Sequence, residues 1–113
     1  MIRVCGVEDV PPGEGRAVVV EGRRVALFRA EDAWFALDAI CPHRGGPLAD
    51  GIVARRTVIC PLHERRFDLA TGRQCAGEYF VAAHRVEVRG SDVYLALAPG
   101  PAGVAPRPAT AVP

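Results

Sequence analysis

The sequence has no lysine, one methionine and one tryptophan, and only 6% of its 113 residues are aromatic. Its fourteen basic residues, all arginine, face thirteen acidic ones, which leaves a formal net charge of +1. Without an excess of positive charge, the composition gives no reason to expect binding to nucleic acid or to an anionic membrane. No apolar run approaches the ~18–20 residues that span a bilayer.

The start of the chain is too polar for a signal peptide, since two acids already stand at Glu8 and Asp9. We therefore predict a cytoplasmic protein. The length corresponds to a single domain, because domains usually have ~100–200 residues. Four cysteines in a cytoplasmic chain are more often metal or redox ligands than disulfide partners.

The hydrophobic pattern is that of β-strands along the whole chain. Short aliphatic and β-branched runs alternate with turn residues, and no helical period persists over a dozen residues. The predicted strands are Ile2–Val7, Arg16–Val20, Val25–Arg29, Trp34–Asp38, Thr57–Cys60, Arg66–Leu69, His84–Val88 and Val93–Leu97. Eight short strands predict an all-β fold, an antiparallel sandwich or small barrel.

The last stretch, Ala98–Pro113, holds five of the ten prolines and has no aromatic, leucine or isoleucine side chain. Such a segment buries too little apolar surface to order itself, so we predict a disordered tail. The domain then covers residues 1–97.

Two segments, 41–51 and 60–67, interrupt the strands, and each begins with a cysteine, a proline and a histidine within four residues. Together they offer Cys41, His43, Cys60 and His63, which are ligands for first-row transition metals. The candidates are a tetrahedral zinc site, a mononuclear copper site and a [2Fe–2S] cluster with mixed ligands. The cluster is favoured, because blue-copper sites use one cysteine and the Cys-x2–4-Cys knuckle typical of zinc is missing.

Other residues of the two loops are predicted to shape the site. Pro42 and Pro61 stiffen the loops after the cysteines. Gly45 and Gly46 allow close approach of the backbone and offer amides to sulfur. Further neighbours expected around the metal are Arg44, Leu62 and Arg65.

The combined pattern, Cys-Pro-His-x-Gly followed by Cys-Pro-x-His, resembles the signature of Rieske iron–sulfur proteins. The resemblance implies a Rieske-type β-fold with a small cluster-binding subdomain formed by the two loops. It also implies that Cys41 and Cys60 hold one iron, and that His43 and His63 hold the other. Two neutral histidines leave the oxidised cluster without net charge, so reduction is easier than in an all-cysteine cluster.

The residues after the second histidine predict a potential at the low end of the Rieske range. High-potential members carry a serine and a tyrosine where this chain has Arg65 and Phe67, neither of which offers a hydroxyl. Their loops also share a disulfide, and neither loop here has a second cysteine. We predict a potential of about −150 mV. With all four ligands occupied, the chain is expected to relay electrons and not to catalyse a reaction alone.

Segments 65–75 and 79–90, together with Val25–Arg29, resemble the small subunit of assimilatory NAD(P)H-dependent nitrite reductase. This implies a large partner subunit with FAD, a [4Fe–4S] cluster and sirohaem, which reduces nitrite to ammonium. An alternative is a free Rieske ferredoxin that delivers electrons to an aromatic-ring oxygenase. A more remote alternative is an interaction module stapled by zinc.

The distribution of charge along the chain suggests how a redox partner would dock. Residues 41–75 carry six arginines and three acids, a net charge of +3, while the rest of the chain is net negative. We predict that Arg44, Arg65 and Arg66 dock against an acidic partner surface.

Three residues with reactive side chains lie outside the motif. Cys5 and Cys75 are predicted to be small buried hydrophobic residues. His84 is predicted to be structural or exposed.

Overall fold

The computed structural model describes residues 1–40, 47–62 and 64–98, together with the backbone of Gly103–Val104. Its strands are β1 Ile2–Gly6, β2 Gly15–Val20, β3 Arg23–Ala30, β4 Ala33–Asp38, β5 Ile52–Ala54, β6 Thr57–Ile59, β7 Arg66–Asp68, β8 Tyr79–Phe80, β9 Ala83–Arg89, β10 Asp92–Ala96 and β11 Gly103–Val104. The described residues form no α-helix, only two 3-10 turns at Val7–Asp9 and Leu48–Asp50. The all-β prediction is confirmed.

The eight predicted strands are all present, and the structure adds β5, β8 and β11. These extra strands have three, two and two residues, too few for an alternating pattern to be visible in sequence. β11 lies inside the predicted tail and pairs with β8. The remainder of that tail, 99–102 and 105–113, lies outside the described residues.

Six strands form one antiparallel sheet in the order β1-β10-β9-β4-β3-β2, which curls into a nearly closed barrel. Two-residue turns join its hairpins, with positive φ at Glu21, Gly22, Glu31 and Asp32. This is the type I′ geometry, whose twist matches that of the flanking strands. These turns therefore lie between strands that the sequence predicts.

The barrel encloses one hydrophobic core. Val25 and Leu27 of β3 and Ala36 of β4 point inward and meet Val93 and Leu95 of β10. All five side chains are at most 1% exposed. Successive residues of a strand point to opposite faces, so the neighbours of these residues face outward.

The outward face of β3 and β4 carries a second core. Phe28 and Leu37 pack there against Leu48, Val58 and Phe67, which belong to the segment 47–69. That segment includes the small sheet β5-β6-β7. The two cysteine/histidine loops thus extend from a subdomain that is fixed to the barrel by its own buried core.

Candidate metal centre

The first loop is closed at its base. Ile40 and Pro47 form an antiparallel bridge, and the Leu48 N–H donates to the Ala39 carbonyl at 2.8 Å. Leu48 is fully buried in the second core. The described residues on either side of 41–46 are therefore held next to each other.

The second loop is a tight hairpin that begins at Cys60. The Cys60 N–H donates to the Arg65 carbonyl at 2.8 Å, and the Glu64 N–H donates to the Cys60 carbonyl at 3.0 Å. Glu64 adopts a left-handed conformation, with φ of +56°, which turns the chain back toward β7. Cys60 is 2% exposed, whereas Leu62 at the tip is 52% exposed.

The bases of both loops are anchored in one buried cluster, which contains Ala39, Leu48 and Cys60. Cys60 is a free thiol in that apolar setting. A buried thiol beside a second loop is the soft donor that an iron–sulfur site requires. The described part of the site fits the cluster that the motif predicts.

The other predicted ligands, Cys41, His43 and His63, lie outside the described residues, as do Pro42, Arg44, Gly45 and Gly46. Their roles stay predictions. Among the described neighbours, Pro61 and Leu62 are exposed and Arg65 is half-buried. Arg66, the other predicted docking residue in the described part of the chain, is exposed.

The two cysteines outside the motif behave differently. Cys5 is buried in the barrel, as predicted, and burial raises the pKa of its thiol. Cys75 is exposed, so the prediction that it is buried was wrong. Its N–H donates to the Arg66 carbonyl, which places it on the outer edge of β7 beyond either core.

A polar network that sequence reasoning missed joins Asp38, His84, Arg23 and Ala98 beside the first loop. His84 has no exposed side-chain surface, and its Nε2 lies 2.8 Å from Asp38 Oδ1. The Ala98 N–H donates to His84 Nδ1 at 2.8 Å. Because Nδ1 accepts, the imidazole is neutral and Nε2 carries the proton that it donates to Asp38. Arg23 reaches the same carboxylate oxygen at 3.1 Å.

This network sets the ionisation of Asp38. Burial by itself would raise the pKa of the carboxyl. The hydrogen bond from His84 and the charge and hydrogen bond of Arg23 outweigh that effect, so the pKa of Asp38 is lowered. The His84 prediction is confirmed as structural. Because its partner is 46 residues away along the chain, no local pattern signals the pair.

We expect Asp38→Asn to lower the free energy of unfolding by about 1–3 kcal/mol near neutral pH, because it removes a buried hydrogen-bonded charge. A carboxyl with a lowered folded pKa stabilises the fold above its unfolded pKa of about 3.9 and loses this contribution as pH falls through the folded value. The difference from wild type should therefore be complete at pH 5–7 and shrink below about pH 4.

Urea unfolding followed by far-UV circular dichroism at pH 7, 5 and 3.5 measures this difference. Asp92→Asn is the control, since the Arg3–Asp92 pair is exposed on both sides and such pairs contribute at most about 1 kcal/mol. Equal effects of the two substitutions at pH 7 would contradict a structural role for the network.

Residues 1–89 match the Rieske [2Fe–2S] domain family, and the chain belongs to that family. Its cofactor is one [2Fe–2S] cluster, as predicted, and its class of activity is electron transfer. The chain is 33% identical over 98 residues to the ferredoxin component of a naphthalene 1,2-dioxygenase system from Pseudomonas aeruginosa, covering 85% of this chain and 94% of that protein.

Solved structures with the same fold include dioxygenase ferredoxins and nitrite reductase small subunits. The ferredoxin of carbazole 1,9a-dioxygenase from Nocardioides aromaticivorans IC177 has a TM-score of 0.79 and 30% identity, covering 86% of this chain and 97% of its own. A Mycobacterium tuberculosis protein described as an NADH-dependent nitrite reductase small subunit has a TM-score of 0.80 and 25% identity, covering 87% of this chain and 95% of its own. No helix in the described part of the chain is long and apolar enough to cross a bilayer.

Proposed function

We propose that this chain is a Rieske ferredoxin that delivers single electrons to the terminal oxygenase of an aromatic-ring dioxygenase. The observation that carries the proposal is an alignment spanning 94% of a naphthalene dioxygenase ferredoxin at 33% identity. The carbazole dioxygenase ferredoxin, at 30% identity and 97% coverage of its chain, supports the same conclusion. Both findings favour the Rieske ferredoxin, the alternative in the sequence analysis, over the nitrite reductase small subunit.

We assign one iron to Cys41 and Cys60 and the other to His43 and His63. When bound, the cluster accepts and releases one electron at a time. The protein's part is to hold the ligands rigidly and to keep water from the buried side. The core around Cys60, which is 2% exposed, performs the second task.

The tip of the second loop is the surface through which we expect electrons to leave. Pro61 and Leu62 are exposed there, next to the proposed ligand His63. A small apolar tip can be desolvated by a partner at little cost, and exposed charge around it can guide the encounter. Of the predicted docking arginines in the described part of the chain, Arg66 is exposed and suited to this task.

A second candidate remains the small subunit of an assimilatory nitrite reductase. It is favoured by the TM-score of 0.80 with a nitrite reductase small subunit and by the segments that resemble that family. In that case the partner would be a flavin and sirohaem protein. Both candidates are consistent with a cytoplasmic location.

The two candidates differ in the electron acceptor, which can be tested directly. The iron-loaded chain is reduced with dithionite, freed of excess reductant and mixed anaerobically with one of two oxidised acceptors in a stopped-flow instrument. The acceptors are a purified dioxygenase terminal oxygenase and a sirohaem-containing nitrite reductase large subunit. Visible absorbance of the chain reports its oxidation.

We expect oxidation by the oxygenase at a rate that rises with its concentration and falls with added salt. Oxidation by the sirohaem protein alone would overturn the ferredoxin proposal and support the second candidate. The chain without iron serves as the control for changes in acceptor absorbance.

A further inference from the structure

Arg65 is fixed at the neck of the second loop. Its carbonyl accepts the Cys60 N–H at 2.8 Å, so the two residues face each other across the hairpin. Any charge on the Arg65 side chain is therefore carried by the same rigid turn that presents the proposed ligand Cys60.

The Arg65 side chain packs against the ring of Tyr79. Its guanidinium carbon lies 5.3 Å from the centre of the Tyr79 ring, within the range of a cation–π contact. Its Nε atom is shielded from solvent. The next residue, Arg66, is exposed. Two adjacent arginines thus differ in whether solvent surrounds their charge.

The ring that holds Arg65 is itself immobilised. The Gln74 N–H donates to the Tyr79 carbonyl at 2.9 Å, and the Tyr79 N–H donates to Gln74 Oε1 at 3.2 Å. Tyr79 also packs against the second core, which contains Phe67. Backbone hydrogen bonds and burial therefore hold in place the Tyr79 ring that contacts the guanidinium.

We propose that Arg65, positioned by Tyr79, is a fixed positive charge that raises the reduction potential of the cluster. Reduction adds one negative charge to the site, and a cation on the same turn as the proposed ligand Cys60 favours the more negative state. A half-buried charge is less screened by salt than an exposed one. The inference rests on membership of the Rieske family and on Cys60 as a ligand, and is independent of which partner accepts the electron.

The potential of the iron-loaded protein tests this inference. Arg65→Gln should lower the equilibrium constant for reduction roughly tenfold, which corresponds to about 59 mV for one electron. Arg66→Gln is the matched control, and its effect should be several-fold smaller. The difference should persist between 0.1 and 1 M salt, where an exposed charge is screened.

Variants of Tyr79 and Arg65 separate the effect of the charge from the effect of its position. Tyr79→Leu keeps the arginine but releases it to solvent, and should lower the potential by part of the Arg65→Gln shift. Tyr79→Phe keeps the ring and should leave the potential near wild type. Arg65→Lys should recover part of the potential lost in Arg65→Gln, because it restores the charge.

The inference would be overturned by equal shifts in Arg65→Gln and Arg66→Gln, or by a shift that vanishes at 1 M salt. If Arg65→Gln fails to load iron, Tyr79→Leu decides, and an unchanged potential in that variant would refute the proposal. Loading is checked by iron content and by the electron paramagnetic resonance signal of the reduced protein.

Discussion

Replacing Cys60 by serine is expected to abolish assembly of the [2Fe–2S] cluster. Serine offers a hard oxygen with a far higher pKa than a thiol, which makes it a poor iron ligand at neutral pH. Cys60 is 2% exposed, and both its N–H and its carbonyl are hydrogen-bonded within the hairpin. The loop therefore cannot move another donor into its place. The loss should exceed the 10–100-fold in metal affinity typical of residues that only support a ligand.

Iron and sulfide content, together with the electron paramagnetic resonance spectrum after dithionite reduction, measure this loss. Cys75→Ser is the matched control, because Cys75 is exposed and outside both loops. That variant should retain about two irons per chain. A Cys60→Ser protein with two irons and an unchanged spectrum would show that the cluster is held by other residues.

Phe67→Ala is expected to cause the largest loss of stability, about 3–5 kcal/mol. Phe67 has no exposed surface and packs in the core that joins the cluster subdomain to the barrel. It is also paired with Val58 in the register of the small sheet. Truncation would leave a cavity in the core that also contains Cys60, so the iron should be released at a lower urea concentration as well.

Urea unfolding of the iron-loaded protein, followed both by circular dichroism and by visible absorbance, tests this prediction. With a slope of about 1–3 kcal/mol per molar urea, the midpoint should fall by about 1–5 M. Val19→Ala serves as the control, because Val19 is 70% exposed and should contribute little. A shift no larger than that of the control would contradict a central role for the second core.

Much of the fold follows from local patterns. Alternating apolar residues define the barrel strands, and pairs such as Glu21–Gly22 mark the hairpins. The very short strands and the Asp38–His84 pair do not, because they depend on contacts between distant segments. The exposure of Cys75 was missed for a related reason, since whether a residue beyond a strand is covered depends on tertiary packing.

The nitrite reductase resemblance illustrates what a sequence match can and cannot specify. Its segment 65–75 contains Phe67 and Leu69, which are buried core residues, and Gly72, whose φ of +78° requires glycine. Asp68 Oδ1 accepts the N–H groups of Ala70 and Thr71, closing the turn. These residues satisfy the requirements of the hairpin itself. They therefore indicate the fold of the subdomain and carry little information about the partner.

The registers of the sheet also have a practical consequence for labelling the protein. Ile2 is paired with Leu95, and Val25 with Asp38, so these strand ends share one rim of the barrel. From that rim the chain continues toward Cys41. An affinity tag or fluorophore added before Met1 would consequently lie at the rim where β4 ends, three residues before the proposed ligand Cys41. The Gly90–Ser91 hairpin, at the opposite rim, is the better site for immobilising the protein on an electrode or sensor surface.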